Sequence, residues 1–174
     1  VTKLEQRIVL ADDFYLWDTP GMLWPRIAVE QSGYNLAVSG AVGRNAYDEE
    51  LVALEFLRYA QRNYAANLRE RYKLTQTDGE IAALPDDELL EAIGRKRGAV
   101  MTGGRVNVQK AAEIVITDFR IHNLGRITLE TPAEYEQWFT KGMELDALRQ
   151  AKKDARAKPK KTGIRNRKPA APSA

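Results

Sequence analysis

Between Asn107 and Gly125 the apolar residues Val108, Ala111, Ala112, Val115 and Phe119 recur at i, i+3, i+4, i+7 and i+11. A helix brings that spacing to one face, and a one-faced helix must lie against other elements. The same period appears earlier. Asp48-Glu49-Glu50 opens a segment in which Leu51, Leu54, Phe56, Leu57 and Tyr59 form a stripe, and the acids suit the positive N-terminal end of a helix. That helix is predicted to run, with one break, to Tyr72. Thr75–Gly79 reads as a loop. Pro85-Asp86-Asp87-Glu88 starts another helix, with Leu89, Leu90 and Ile93 facing inward and a stop at Gly98. Gly103-Gly104 is a further break, and Asn107 is a good N-cap for the stripe that follows. Arg126–Glu130 (RITLE) reads as a short extended piece. Thr131-Pro132 followed by Glu134 begins a last helix, because Thr caps and Pro fits the first turn. The expectation is a body of about four to five helices.

The start of the chain breaks this period. Glu5–Ala11 (EQRIVLA) and Phe14–Asp18 (FYLWD) are apolar and β-rich, and they flank the turn-compatible pair Asp12-Asp13. They read as an antiparallel hairpin. Ile27–Gly43 is small and mixed, with a weak helical pattern. No internal repeat is visible.

Charge divides the chain unevenly. Its 174 residues carry a net +3, yet Arg149–Ala174 holds ten Lys/Arg against one acid, Asp154, so the remainder is acidic by six. A basic tail on an acidic body points to a polyanionic partner. Pro, Lys, Arg and Ala dominate beyond about Lys152, a composition expected to be disordered. There is no cysteine, which excludes disulfides, thiolate catalysis and Cys-type zinc sites. No apolar run approaches a membrane span. Val1 is not a start methionine and no signal-peptide layout follows it, so the chain reads as a fragment or a processed product.

One short motif carries chemistry. The apolar strand Phe14–Asp18 ends in a carboxylate and is followed by Thr19-Pro20-Gly21. In nucleoside-triphosphatase switches such an Asp helps to hold Mg²⁺, and the Gly lets a backbone N–H approach the γ-phosphate, where a Cβ would intrude. On these four residues alone, an ordinary β-turn is the favoured reading. The chain lacks G-x-x-x-x-G-K-[ST], and the clusters Gly40–Gly43 and Gly103-Gly104 have no following Lys-Ser/Thr. It also lacks N-K-x-D.

The wider stretch DTPGMLWP (Asp18–Pro25), with Val1-Thr2-Lys3 one hairpin upstream, resembles the YlqF/RbgA family of circularly permuted ribosome-assembly GTPases. Glu50–Tyr72, Ile93–Gly104, Ala111–Leu129 and Thr131-Pro132 resemble that family's C-terminal half, so the likeness covers roughly residues 1–135. In such a permuted domain the guanine-specificity motif precedes the phosphate loop, and the DxPG switch comes last. The resemblance implies that Thr2 and Asp18 serve Mg²⁺ and that Thr2, Asp18, Thr19, Pro20 and Gly21 face GTP, with K⁺ a further candidate ion. Met22 stands where many GTPases carry a water-orienting Gln, and a thioether cannot polarise water. No catalytic residue is therefore assigned within the chain. The intact protein would be a GTP hydrolase, and the fragment alone is predicted to be inactive and to bind GTP negligibly.

Arg95-Lys96-Arg97 closes one helix, and Arg105, Lys110, Arg120 and Arg126 lie near the next. Cations at a helix C-terminus have a bland explanation in the dipole. By resemblance these seven contact rRNA phosphates, which positions a protein without reading sequence. His122 is the sole histidine and reads as a surface or capping residue. Trp17, Trp24 and Trp138 read as core or partial core. The fold expected is thus an α/β G-domain remnant, a β-hairpin with its DxPG switch (residues 1–45). A mainly α-helical RNA-binding domain (46–150) and a disordered basic tail (151–174) follow. The function expected is that of a cytoplasmic, monomeric GTPase of late large-subunit maturation, partnered by the large ribosomal subunit precursor and its rRNA and by no membrane. The alternatives are a stand-alone, non-catalytic RNA-binding helical module, and a structural helical domain whose DTPG is only a turn.

Overall fold

The computed structural model describes residues 6–18 and 27–156, with the backbone alone for Gln6, Asp18 and Arg156. Strands β1 (Gln6–Ala11) and β2 (Phe14–Asp18) pair antiparallel as expected. Gln6 lies opposite Asp18 and Ile8 opposite Leu16, with an irregularity between Val9 and Ala11. Arg7 sits 4.6 Å from the ring centre of Tyr15. The apolar side chains of both strands are exposed, Trp17 among them, so Trp17 is not the core residue expected.

Among the described residues seven α-helices follow: α1 (Glu30–Ser39), α2 (Glu49–Asn63), α3 (Ala65–Tyr72), α4 (Asp78–Ala83), α5 (Asp86–Lys96), α6 (Val108–Arg120) and α7 (Pro132–Arg156). For the helical domain the sequence expectation of four to five compares with six, α2–α7, and the difference has identifiable reasons. The anticipated break falls at Tyr64 and divides α2 from α3. The segment read as a loop, Thr75–Gly79, runs into α4, whose N-cap Thr77 accepts from the Glu80 N–H while Glu80 reaches back to the Thr77 N–H, a full capping box. The Asp48, Asn107 and Thr131 starts are as expected. Asp48 accepts from the Leu51 N–H and Asn107 from the Lys110 N–H, while Thr131 and Glu134 form a second reciprocal cap. Arg126–Glu130 forms no strand. Side chains meet it instead: the Tyr64 hydroxyl accepts from the Thr128 N–H, and Asn35 donates to the Leu129 carbonyl and to the Glu130 carboxylate.

Helix α2 is the hub, touching α1, α3, α4, α5 and α6. Val52, Leu57, Leu68, Tyr72, Ile81, Leu89, Leu90, Ile93 and Val115 are wholly buried, and Phe56 packs on Phe119 with ring centres 4.9 Å apart. Ala37 and Val38 of α1 join the same core, so α1 is built into the helical body. α5 and α6 cross at Gly94. A Cβ there would come within 2.6 Å of Val106 Cγ1 and 3.0 Å of Ala111 Cβ, so only a bare backbone permits the approach. At Gly142, α7 passes so near Ala28 and Val29 that a Cβ would lie 2.9 Å from the Ala28 carbonyl oxygen. α7 continues as helix to Arg156; the remainder of the expected disordered tail lies outside the described residues.

Candidate nucleic-acid interface

The helical body carries two kinds of cation, and the difference is local. Arg71 of α3 forms a two-pronged pair with Asp118 of α6, with Nη2–Oδ1 at 2.6 Å and Nε–Oδ2 at 3.0 Å. Asp118 is only 4% exposed, and Asn123 Nδ2 donates to it as well, at 2.8 Å. Burial works to raise the Asp118 carboxyl, but the donors from Arg71 and Asn123 outweigh it and hold it below the usual carboxylate range. Neighbouring Tyr72 is pushed upward, first by burial and then by Asp118. Arg120 is likewise committed. Its Nε donates to the Val38 carbonyl at 2.9 Å, and its Nη2 to the Ala37 carbonyl at 2.7 Å and the Tyr47 hydroxyl at 2.9 Å. It closes the C-terminal end of α1, where carbonyls lack helical partners. Lys110 pairs with Glu113, which also holds Arg44; these contacts, led by Lys110, keep Glu113 low.

Lys96, Arg97, Arg105 and Arg126 are different. They are exposed and have no ion-pair partner among the described residues. Arg95 is also exposed, reaching Glu91 at 3.4 Å and the Gly104 carbonyl at 3.2 Å. The structure therefore brings Arg95, Lys96, Arg97 and Arg105 together around the end of α5. It does not bring all seven predicted cations to one point. Lys110 lies in the first turn of α6 and Arg120 is its last residue, about 15 Å further along the axis.

Between α5 and α6 the chain makes a small hairpin that sequence reasoning registered only as a glycine break. Val100 bridges Val106, the Met101 N–H donates to the Arg105 carbonyl at 2.8 Å, and the Asn107 N–H to the Ala99 carbonyl at 2.8 Å. Gly103 and Gly104 close the turn at φ +93° and +77°, where a side chain would be strained. Ala99 and Val106 anchor the hairpin in the core, while Val100 and Met101 face solvent at 44% and 47% exposure. The signal available for this pair was two apolar residues inside a basic, acid-free run: residues 95–112 hold five cations and no acid.

Of the residues expected to face nucleotide, Asp18 is the last of β2, at the open end of the hairpin. Its carboxylate, with Thr2, Thr19, Pro20 and Gly21, lies outside the described residues. A carboxylate and a threonine hydroxyl are the hard oxygen donors that Mg²⁺ takes. Among the described residues no group of three or more His, Cys, Asp or Glu gathers to hold a metal. His122 stands exposed at φ +61° in the turn after α6, consistent with a surface residue. No described helix is long and apolar enough to cross a membrane.

A helical body entered through a strand pair and a DxPG segment, with unpaired cations at one helix end, is the layout that the sequence resemblance implied. Comparison with known proteins agrees. The chain is 39% identical over 132 residues to ribosome biogenesis GTPase A of Bacillus pumilus, covering 76% of this chain and 45% of that protein. It is 37% identical over 137 residues to ribosome biogenesis GTPase A of Priestia megaterium, covering 79% and 46%. The mitochondrial ribosome-associated GTPase 1 of Bos taurus is 32% identical over 123 residues, covering 67% and 37%. No family model matches the chain. The chain belongs to the ribosome biogenesis GTPase A (RbgA/YlqF) family. It spans less than half the length of the relatives it matches.

Proposed function

We propose that the protein is a ribosome-assembly GTPase that matures the large ribosomal subunit by binding its rRNA, and that this chain supplies the switch segment and the RNA-binding helical half. The observation that carries the reading is the 37–39% identity with ribosome biogenesis GTPase A over 132–137 residues, more than three quarters of this chain. GTP and Mg²⁺ would be held jointly by Thr2, Asp18, Thr19, Pro20 and Gly21 and by a phosphate loop and guanine reader that this chain does not contain; K⁺ is a candidate second ion. The nucleotide would supply a γ-phosphate whose presence orders Thr2 and Asp18–Gly21. The chain's own part is positional: Met22–Ala28 joins that segment to α1, and Arg120 and Gly142 fix α1 at its two ends. Arg95, Lys96, Arg97 and Arg105 give the strongest phosphate-binding cluster, Lys110 and Arg126 extend it, and Arg120 acts mainly through α1. The protein works as a cytoplasmic monomer with no membrane partner. The division into a G-domain remnant, a helical RNA-binding domain and a basic tail is part of this reading, with α1 counted in the helical body on which it packs and α7 running past residue 150.

Two measurements test it. The 174-residue chain should bind structured RNA with an affinity that falls steeply from low to physiological salt, whereas a flat response would remove the electrostatic basis. It should show no micromolar binding of a labelled GTP analogue. In a protein that includes the phosphate loop, rRNA affinity should differ between GTP-analogue and GDP states, and identical affinities would refute the switch. The absence of a phosphate loop from this sequence favours a second reading for the chain taken alone, a non-catalytic RNA-binding module.

A further inference from the structure

The hairpin between α5 and α6 has a composition that a purely structural connection does not need. Its anchors, Ala99 and Val106, suffice to pin it to the core. Its outer residues, Val100 and Met101, leave about half of their apolar surface in solvent, at 44% and 47% exposure. They stand among Arg95, Lys96, Arg97 and Arg105, with no acid between residues 95 and 112. Among the described residues Glu91 contacts Arg95 at 3.4 Å, and Asp118, already held by Arg71, also feels the charge of Arg97. At the tip Gly103 and Gly104 present bare backbone, with open space where a side chain would stand.

We infer that the Val100–Arg105 hairpin tip is an insertion element for the shallow groove of a folded RNA helix, with Val100 and Met101 packed on ribose and base edges and Arg95, Lys96, Arg97 and Arg105 on the flanking phosphates. The inference rests on the rRNA-binding reading above and adds the mode and the residues. Charge complementarity selects the occupant. A protein partner with an acidic face would satisfy the cations, but it would not call for so small an apolar tip beside four exposed cations, of which Arg105 lies in the hairpin and Arg95 reaches the Gly104 carbonyl. An A-form RNA helix offers both parts at that spacing, a wide, shallow minor groove lined by riboses and bordered on each side by phosphates. The glycines let backbone lie where a Cβ would hold the tip out of the groove. The apolar pair and the cations contribute differently, and this makes the arrangement testable. Cations release counterions and set the salt dependence. The apolar contacts add affinity without altering it.

The test uses the 174-residue chain and a fluorescein-labelled RNA stem-loop of about twenty base pairs, a length chosen to exceed the roughly 16-bp reach of a double-stranded RNA reader, with an unstructured oligouridine of equal charge as control. V100S/M101S should weaken stem-loop binding by about fivefold or more. The slope of log affinity against log salt should not change, and oligouridine binding should move little. R97Q/R105Q should weaken binding to both RNAs and reduce the slope by about two. Both positions of the serine variant are exposed, so its thermal melting should match the parent and exclude misfolding. If the parent binds the stem-loop and V100S/M101S binds it equally well, the insertion is refuted while rRNA binding stands. If V100S/M101S weakens both RNAs equally, the groove is refuted as the target. If the parent binds neither RNA yet binds anionic lipid vesicles or an acidic protein through the same tip, both this inference and the rRNA reading fall.

Discussion

The hairpin β1–β2 and the helical body draw on the same apolar alphabet and end in opposite states. Ile8, Val9, Leu10, Phe14, Leu16 and Trp17 are exposed, whereas Leu57, Leu68, Leu89, Leu90 and Ile93 are 0% exposed. A two-stranded sheet cannot cover its own faces, and it is marginal in water by itself. The helices α1, α3, α4, α5 and α6, which pack around α2, can cover theirs. An apolar run therefore states what a segment needs, and only the neighbours decide whether the need is met. The body is self-sufficient, and the hairpin presents faces and edges suited to further chain or to a partner.

The largest expected effect tests the buried side of that contrast. Leu90→Ala removes a fully buried side chain at the centre of the body and should cost about 2–5 kcal/mol, read from urea unfolding with helical signal. A loss under 1 kcal/mol would mean that the body is loosely packed.

Asp118→Asn comes next, and it also separates sequence-legible from sequence-silent features. The substitution leaves Arg71 without its counter-charge and should cost about 2–3 kcal/mol at neutral pH, below the range for fully buried pairs because Arg71 is partly open to water. The folded Asp118 carboxyl lies below its ordinary value, so its contribution is fully present above about pH 4 and is lost as pH falls through the lower, folded value. Melting temperature followed from pH 7 to pH 3 should fall less steeply in the variant than in the parent; parallel curves would exclude Asp118 as an acid-sensitive site.

Gly94→Ala should cost about 1–3 kcal/mol, because the new methyl meets Val106 Cγ1 and Ala111 Cβ at the α5–α6 crossing. The same substitution at Gly33, where nothing lies within 4 Å, should be neutral or stabilising within α1. Equal effects at the two glycines would show that close approach is not what matters at Gly94.

These cases mark what could be read in advance. The caps at Asp48, Asn107 and Thr131 and the α6 stripe were legible because helix starts and amphipathic faces are local. α4 was legible in principle, since Thr77 and Glu80 spell a capping box, but Gly79 and the polar run around it read more simply as a loop. RITLE has strand propensity with no strand to pair with, and tertiary context overrode it. Arg71–Asp118 spans 47 residues and Arg120–Val38 spans 82, so no local pattern distinguished these structural cations from Arg97 and Arg105. The assignment of Thr2 and Asp18–Gly21 to a nucleotide rests on resemblance alone, because the motif is short and also spells a turn.

The smallest effect probes the exposed side. Leu16→Ala in β2 should shift stability of the helical body by no more than about 0.5 kcal/mol, as exposed surface substitutions do. A shift above 1 kcal/mol would place the hairpin against the helices and erase the contrast. If the hairpin belongs to a larger sheet, as the proposed GTPase reading requires, the same substitution in a protein carrying the preceding motifs should cost about 2–4 kcal/mol, because Leu16 would then be buried. The difference between the two backgrounds measures how much cover the rest of such a sheet supplies. An equally small cost in both would leave the strand pair an independent arm, and would remove the structural route from a nucleotide to α1.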